Sequence, residues 1–215
     1  MLKAVIFDMD GVILDSETIS WKTWILAGKE KNVTITEPLQ QKCTGLNRND
    51  TILTLKNHFG QDFDALSFLN RTSELFYKIE AEEGIPLKFY AKEALSGLKK
   101  RYKIALASST RAVSVHRQMK NAGVFDLFEK IITGDMVEHS KPDPEIYLKA
   151  CSAIGVSPEE CVAVEDSPNG IKSAKAAGLK PIMVPDKIAP YPEIEKLCWK
   201  ICTDLKEVTD LLLNL

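Results

Sequence analysis

The residues of this chain best suited to chemistry stand just behind short apolar runs. Residues 3–7 (KAVIF) are followed by Asp8-Met9-Asp10-Gly11, two carboxylates one residue apart where glycine permits an unusual backbone angle. Such a pair suits a hard cation together with nucleophilic or acid–base work, although a plain turn or helix cap uses the same residues. Residues 103–107 (KIALA) lead into Ser108-Ser109-Thr110-Arg111 and then a helical pattern. Hydroxyls and free amides at a helix start form an anion site, or simply cap the helix. Residues 130–133 (KIIT) precede Gly134-Asp135 and then Ser140-Lys141-Pro142-Asp143-Pro144-Glu145, with Lys141 just outside a helix opened by Asp143-Pro144. That lysine can neutralise a phosphate or an aspartyl adduct, or stand in solvent. Residues 161–164 (CVAV) close on Glu165-Asp166-Ser167-Pro168. Adjacent acids at the end of a buried strand are costly without a positive partner, and a cation shared with Asp8 would supply one. Each signal is modest alone; acids, hydroxyls and a lysine at four strand ends make a site.

The elements that must position these residues follow from periodicity. Apolar runs alternate with segments of helical spacing at 112–121, 145–154 and 170–177, and further runs occur at 181–184 (PIMV) and, more weakly, 199–202. That alternation predicts a parallel sheet covered on both faces. KAVIF stands alone at the start, and its partners begin near residue 103. The stretch between reads as helical, with Ile19, Trp24, Ile25 and then Ile52, Leu53, Leu55, Phe59 at three- and four-residue spacing. Turn signals fall at Glu37-Pro38, Phe59-Gly60 and Glu83-Gly84-Ile85-Pro86. The expected fold is α/β: a Rossmann-like doubly wound parallel sheet core, residues 1–15 and 85–215, interrupted by an inserted α-helical domain at 16–84. Ligands of such sheets bind at the carboxyl ends of the strands.

A length of 215 residues lies between one domain and two, which a core of about 145 residues split by an insert of about 70 accounts for. With 28 Lys+Arg against 30 Asp+Glu the net charge is -2, and no basic block offers a surface for nucleic acid. No apolar run approaches the roughly 20 residues of a membrane helix, and MLKAVIFDMD is not a signal peptide. Cys43, Cys151, Cys161, Cys198 and Cys202 lack CxxC spacing and nearby histidines, so buried thiols in a reducing compartment are expected and the cytoplasm is the expected location.

FDMDGVILDSE, ALASST, SKPDPEIY and VEDSPNGI, in that order and with the helical insert, resemble the haloacid dehalogenase-like superfamily over about residues 2–185, in its branch of phosphatases and β-phosphoglucomutase. The resemblance implies phosphoryl transfer through an aspartyl-phosphate. Asp8 would be the nucleophile, and Asp10 the acid that protonates the leaving alcohol and then the base that activates water. Ser108 would hydrogen-bond the phosphoryl oxygens and Lys141 would neutralise them. Mg²⁺ would be held by Asp8, the backbone carbonyl of Asp10 and Asp166, with Glu165 acting directly or through water. These roles make physical sense, since a carboxylate facing a phosphate needs positive charge to offset repulsion.

The insert would be a cap that closes over the site and reads the substrate. Its recognition segment corresponds to residues 44–50, which gives Thr44, Gly45 and Arg48, with Ser109 and Thr110 of the core, as substrate-binding residues. Arg48 falls where the mutase has an arginine for a second phosphate, but a solvent-facing role is open. Ser20 stands in place of a mutase histidine, and Thr44 and Thr72 in place of lysines. Losing that histidine and two cations favours a Mg²⁺-dependent phosphatase of a small phosphorylated metabolite, foremost a sugar phosphate, over a sugar-phosphate mutase. Trp21 and Trp24 are expected to pack the cap. Phe89-Tyr90-Ala91 replaces a Pro-Gly hinge, which puts the closure geometry in question. A non-catalytic module would be expected to lack Asp8, Asp10, Lys141 or the acidic pair, and a dehalogenase would have no use for Asp10. A monomer acting without nucleic-acid or membrane partners is expected.

Overall fold

A computed structural model describes every residue except Gly45 and Asn47. The chain divides into two compact units, Met1–Asp15 with Pro86–Leu215, and Ser16–Ile85. The first is built on six parallel strands, β1 (Ala4–Phe7), β2 (Lys103–Ser108), β3 (Lys130–Thr133), β4 (Cys161–Glu165), β5 (Lys180–Met183) and β6 (Lys200–Ile201). Their order is β3-β2-β1-β4-β5-β6, the doubly wound arrangement whose reversal point lies beside the first strand. β1 is buried along its whole length. Phe7 stands opposite Leu106 of β2 on one side and Val164 of β4 on the other. The next residue, Asp8, therefore leaves the sheet level with Glu165, and its amide donates to the Val164 carbonyl at 2.9 Å. Register alone brings these two acids together.

In this unit α5 (Ala91–Leu98), α6 (Ala112–Asn121), α7 (Glu145–Ile154), α8 (Pro168–Ala176), α9 (Pro192–Glu195) and α10 (Leu205–Leu213) surround the sheet, and the insert supplies α1 (Ser16–Glu30), α2 (Glu37–Cys43), α3 (Arg48–Phe59) and α4 (Ala65–Glu83). One sheet face is lined by small side chains, Ala4, Ala105, Ala107 and Ala163, and α7 packs on it through Ile146, Tyr147, Ala150 and Cys151. Alanines leave the volume that lets a fully buried Tyr147 lie against the strands. Cys43, Cys151, Cys161 and Cys202 are buried free thiols as expected, while Cys198 is half-buried. Among the described residues no helix is long and apolar enough to cross a membrane.

The helical unit has its own core of Leu39, Leu55, Phe68 and Leu69, with Trp24 edge-on to Phe68 at 5.3 Å between centroids. Two of the apolar positions that mark the helical spacing are exposed, Ile25 at 42% and Leu53 at 56%. The buried face of α1 runs through Ile19, Thr23, Ala27 and Gly28. Thr23 can be buried because its hydroxyl donates to the Ser20 carbonyl at 2.7 Å.

The two connections to the insert pair with each other within the first unit. The Asp15 amide donates to the Pro86 carbonyl and the Lys88 amide to the Ile13 carbonyl, both at 2.9 Å. Tyr90 takes a left-handed conformation, φ 63°. The chain thus makes the backbone turn that glycine favours without a glycine, at a cost of about 1 kcal/mol or more.

Candidate active site

Lys141 is the hub of the site. Its ammonium donates to Asp8 Oδ1 at 2.6 Å, Glu165 Oε1 at 2.6 Å and the Ala107 carbonyl at 3.0 Å. An ammonium has three donors, and these three acceptors use them all. The Tyr147 hydroxyl donates to the same Glu165 oxygen at 2.7 Å, and the Lys141 nitrogen lies 5.2 Å from the Tyr147 ring centre. Ser167, which caps α8 by accepting from the Gly170 amide, also donates to Glu165 Oε2 at 3.2 Å. Glu165 is wholly buried and has a donor on each oxygen.

Burial pushes the Asp8 carboxyl up to about 7 from 3.8; Lys141 pulls it down, while Glu165 and Asp10 push it further up. Burial lowers Lys141, yet attraction from Asp8 and Glu165 more than reverses this and holds it above the usual lysine value. Both directions follow from one lysine shared between two buried acids: the lysine is fully satisfied and Asp8 only partly so.

Asp8, Glu165 and Asp166 offer carboxylate oxygens all within 4.8 Å of one another. Against a single lysine this set carries excess negative charge, and an all-oxygen set of this kind suits a hard divalent cation. The turn after β1 is shaped for it. Gly11 has φ +75°, and a Cβ there would stand 2.3 Å from Asp166 Oδ2, so the glycine lets Asp166 lie against the Asp8–Gly11 turn. The residues present fit a Mg²⁺-type ion. Asp8 and Asp166 would offer such an ion its freer oxygens, since both oxygens of Glu165 already accept, from Lys141 and Tyr147 on one and Ser167 on the other.

Gly170 performs a similar service at the start of α8. A Cβ there would sit 1.9 to 2.1 Å from the Glu165 carboxyl group. Gly170→Ala should therefore cost about 3 kcal/mol through overpacking against a buried, hydrogen-bonded acid. Urea unfolding checks this, and a loss below about 0.5 kcal/mol would mean that the helix start is free to shift.

At the end of β2, Ser108 is fully buried and its Oγ accepts from the Thr110 amide at 3.1 Å, whereas Ser109, just beyond, is exposed. The Thr110 hydroxyl donates to Asp10 Oδ2 at 2.9 Å, tying the loops after β1 and β2. Asp135 caps α6 from outside, accepting from the Ala112 amide at 3.0 Å. The remaining substrate-binding expectations lie in the helical unit, except Gly45, which is outside the described residues. There Thr44 donates to the Gln40 carbonyl at 2.9 Å, and Arg48 hydrogen-bonds Asn70. Both line a cavity of about 260 Å³ together with Trp21, Trp24, Thr72 and Ser20. The tryptophans thus pack the unit and also wall its cavity. Tyr147, Gly170 and Gly134 are the site residues to which the motifs alone assigned no role; the tyrosine's only sequence signal is its place at the end of SKPDPEIY.

An aspartate, a lysine and an acidic pair thus meet at the switch point of a doubly wound α/β sheet. The chain belongs to the haloacid dehalogenase-like hydrolase family, whose model matches residues 2–178. YhcW of Bacillus subtilis, a candidate phosphatase, is 38% identical over 192 residues, covering 87% of this chain and 86% of that protein. The phosphorylated carbohydrates phosphatase of Thermotoga maritima is 31% identical over 182 residues, covering 84% of each. Among solved structures, a candidate β-phosphoglucomutase of Thermotoga maritima superposes with a TM-score of 0.82 at 27% identity, covering 100% of both chains.

Proposed function

We propose that this chain is a Mg²⁺-dependent phosphatase that hydrolyses a small phosphorylated metabolite, foremost a sugar phosphate, through an aspartyl-phosphate on Asp8. The observation that carries this reading is the Asp8–Lys141–Glu165 cluster at the sheet's switch point, with Asp166 beside it. Asp8 is the nucleophile. Lys141, held on three acceptors, offsets the charge of the entering phosphoryl group, and Ser108 binds its oxygens. Asp10 gives its proton to the leaving alcohol and recovers one from the attacking water. Asp8, Asp166 and the Asp10 carbonyl would hold Mg²⁺, with Glu165 acting directly or through water, and the ion would supply electrostatic stabilisation of the phosphoryl oxygens. Recognition of the group that carries the phosphate falls to the helical unit, for which the relative acting on phosphorylated carbohydrates gives the substrate class.

A panel of phosphorylated metabolites, assayed for free phosphate with and without Mg²⁺, tests the reading. Release from sugar phosphates in the presence of Mg²⁺ is expected; no hydrolysis of any member would overturn it. Arg48 on the wall of the helical unit's cavity favours one second reading, a β-phosphoglucomutase-like isomerase. Interconversion of hexose 1- and 6-phosphates without phosphate release would favour it.

The metal also leaves a signature in stability. The folded protein binds the Asp8 proton more tightly than the unfolded chain, with a carboxyl at about 7 against 3.8. Between those values the folded state holds more protons, so the stability of the metal-free protein falls as pH rises. Ionised Asp8 is the form that pairs with a cation. The rise in Tm on adding Mg²⁺ should therefore be small at the acid end of this window and largest above it, as calorimetry would measure. A rise independent of pH would contradict the assignment of Asp8 to the metal.

A further inference from the structure

We propose that Thr110 is the positioning residue for proton transfer by Asp10, fixing one carboxyl oxygen so that the other carries the proton. This rests on the acid–base role of Asp10 proposed above. The Thr110 hydroxyl donates to Asp10 Oδ2 at 2.9 Å. Thr110 is itself held on both backbone groups. Its amide donates to Ser108 Oγ at 3.1 Å, and its carbonyl accepts from the Gly134 amide at 3.0 Å. Gly134 fits there because it has no side chain: a Cβ would stand 2.0 Å from the Ser109 carbonyl oxygen. The loops after β1, β2 and β3 thus converge on one residue, Thr110, the kind of rigid support that keeps a reacting group within a fraction of an ångström.

A hydroxyl suits this task because it donates, and Oδ2 stays an acceptor as long as the proton is carried on Oδ1. It can hold the same oxygen whether Asp10 is a carboxylate or a carboxylic acid, and it adds no charge. In the first half-reaction an Asp8 oxygen bonds to phosphorus and the phosphorus–ester oxygen bond breaks. The electron pair stays on the ester oxygen, which takes the proton from Asp10 Oδ1. In the second, water bonds to the same phosphorus and gives its proton to Asp10 Oδ1, and Asp8 departs as carboxylate. Oδ2, bound to Thr110, keeps the orientation through both.

A group that serves the acid is needed in proportion to how poor the leaving group is. Compare kcat/KM of Thr110→Val on the best-hydrolysed alkyl phosphate of the panel and on p-nitrophenyl phosphate, whose phenolate departs with little help. The alkyl ester should lose about 10- to 100-fold and the aryl ester less than about 3-fold. Thr110→Ser should recover most of the loss. Equal losses on both esters would overturn the proposal in favour of a substrate contact or a structural role, and so would no loss on either. Asp10→Asn on the same two esters separates the two levels. If it leaves the alkyl ester unaffected, the acid–base reading itself has failed. If it abolishes alkyl turnover while Thr110→Val has no effect, only the positioning role has failed.

Discussion

Asp8→Asn should lower phosphate release by about 10⁴-fold or more while leaving the fold in place. The amide has the carboxylate's shape but not its nucleophilicity, so the first bond to phosphorus cannot form. Stability should stay within about 1 kcal/mol of the parent. Burial already disfavours ionised Asp8, and Lys141 keeps Glu165 and the Ala107 carbonyl as partners. Circular dichroism and thermal unfolding would verify the fold alongside the assay. Turnover near that of the parent in a folded variant would remove the covalent mechanism.

Lys141→Met is the complementary experiment, because here both activity and stability should fall. Lys141 is 7% exposed, with Asp8 at 11% and Glu165 at 0% at side-chain level. Removing the one ammonium strands two buried acids, and breaking a buried pair typically costs about 3–5 kcal/mol. For a chain of this length that is about 10 °C or more in Tm. Turnover should fall by about 10³-fold, since a group that neutralises the phosphoryl charge is lost. The two variants therefore separate chemistry from architecture: Asp8→Asn removes activity alone, and Lys141→Met removes both. A Lys141→Met protein as stable as its parent in urea would mean that the acids are balanced from elsewhere.

Much of this centre is legible in the chain because each acid and the lysine follow an apolar run, and the doubly wound sheet is read from the alternation of runs and helices. Asp8, Lys141, Glu165 and Asp166 stand where strand ends would bring them. Hidden from the sequence are contacts that depend on depth. Tyr147 reads as an ordinary apolar position of α7, and only the alanine-lined sheet face lets its hydroxyl reach Glu165. Gly134 reads as the residue after a strand and Gly170 as the start of a helical stretch, yet each keeps its place because a Cβ would strike a neighbour. Thr110 reads as a substrate contact or a helix cap, and the sequence does not show that its hydroxyl donates to Asp10. In the helical unit, three- and four-residue spacing marks helices but leaves open that Ile25 and Leu53 face outward. Periodicity cannot choose between adjacent stripes when small residues and a self-satisfied Thr23 fill the inner one.

The most direct test of the central claim is to catch the phosphoryl group on the chain. Asp10→Asn mixed with p-nitrophenyl phosphate and Mg²⁺ should complete the first half-reaction and stall before the second, because a good leaving group dispenses with the acid while water still lacks its base. After acid quench and digestion, mass spectrometry should find a near-stoichiometric phosphoryl group on the peptide that carries Asp8, removable with hydroxylamine. Nitrophenol released in amounts far above the enzyme while Asp8 stays unmodified, or a phosphoryl group on a different residue, would contradict the account.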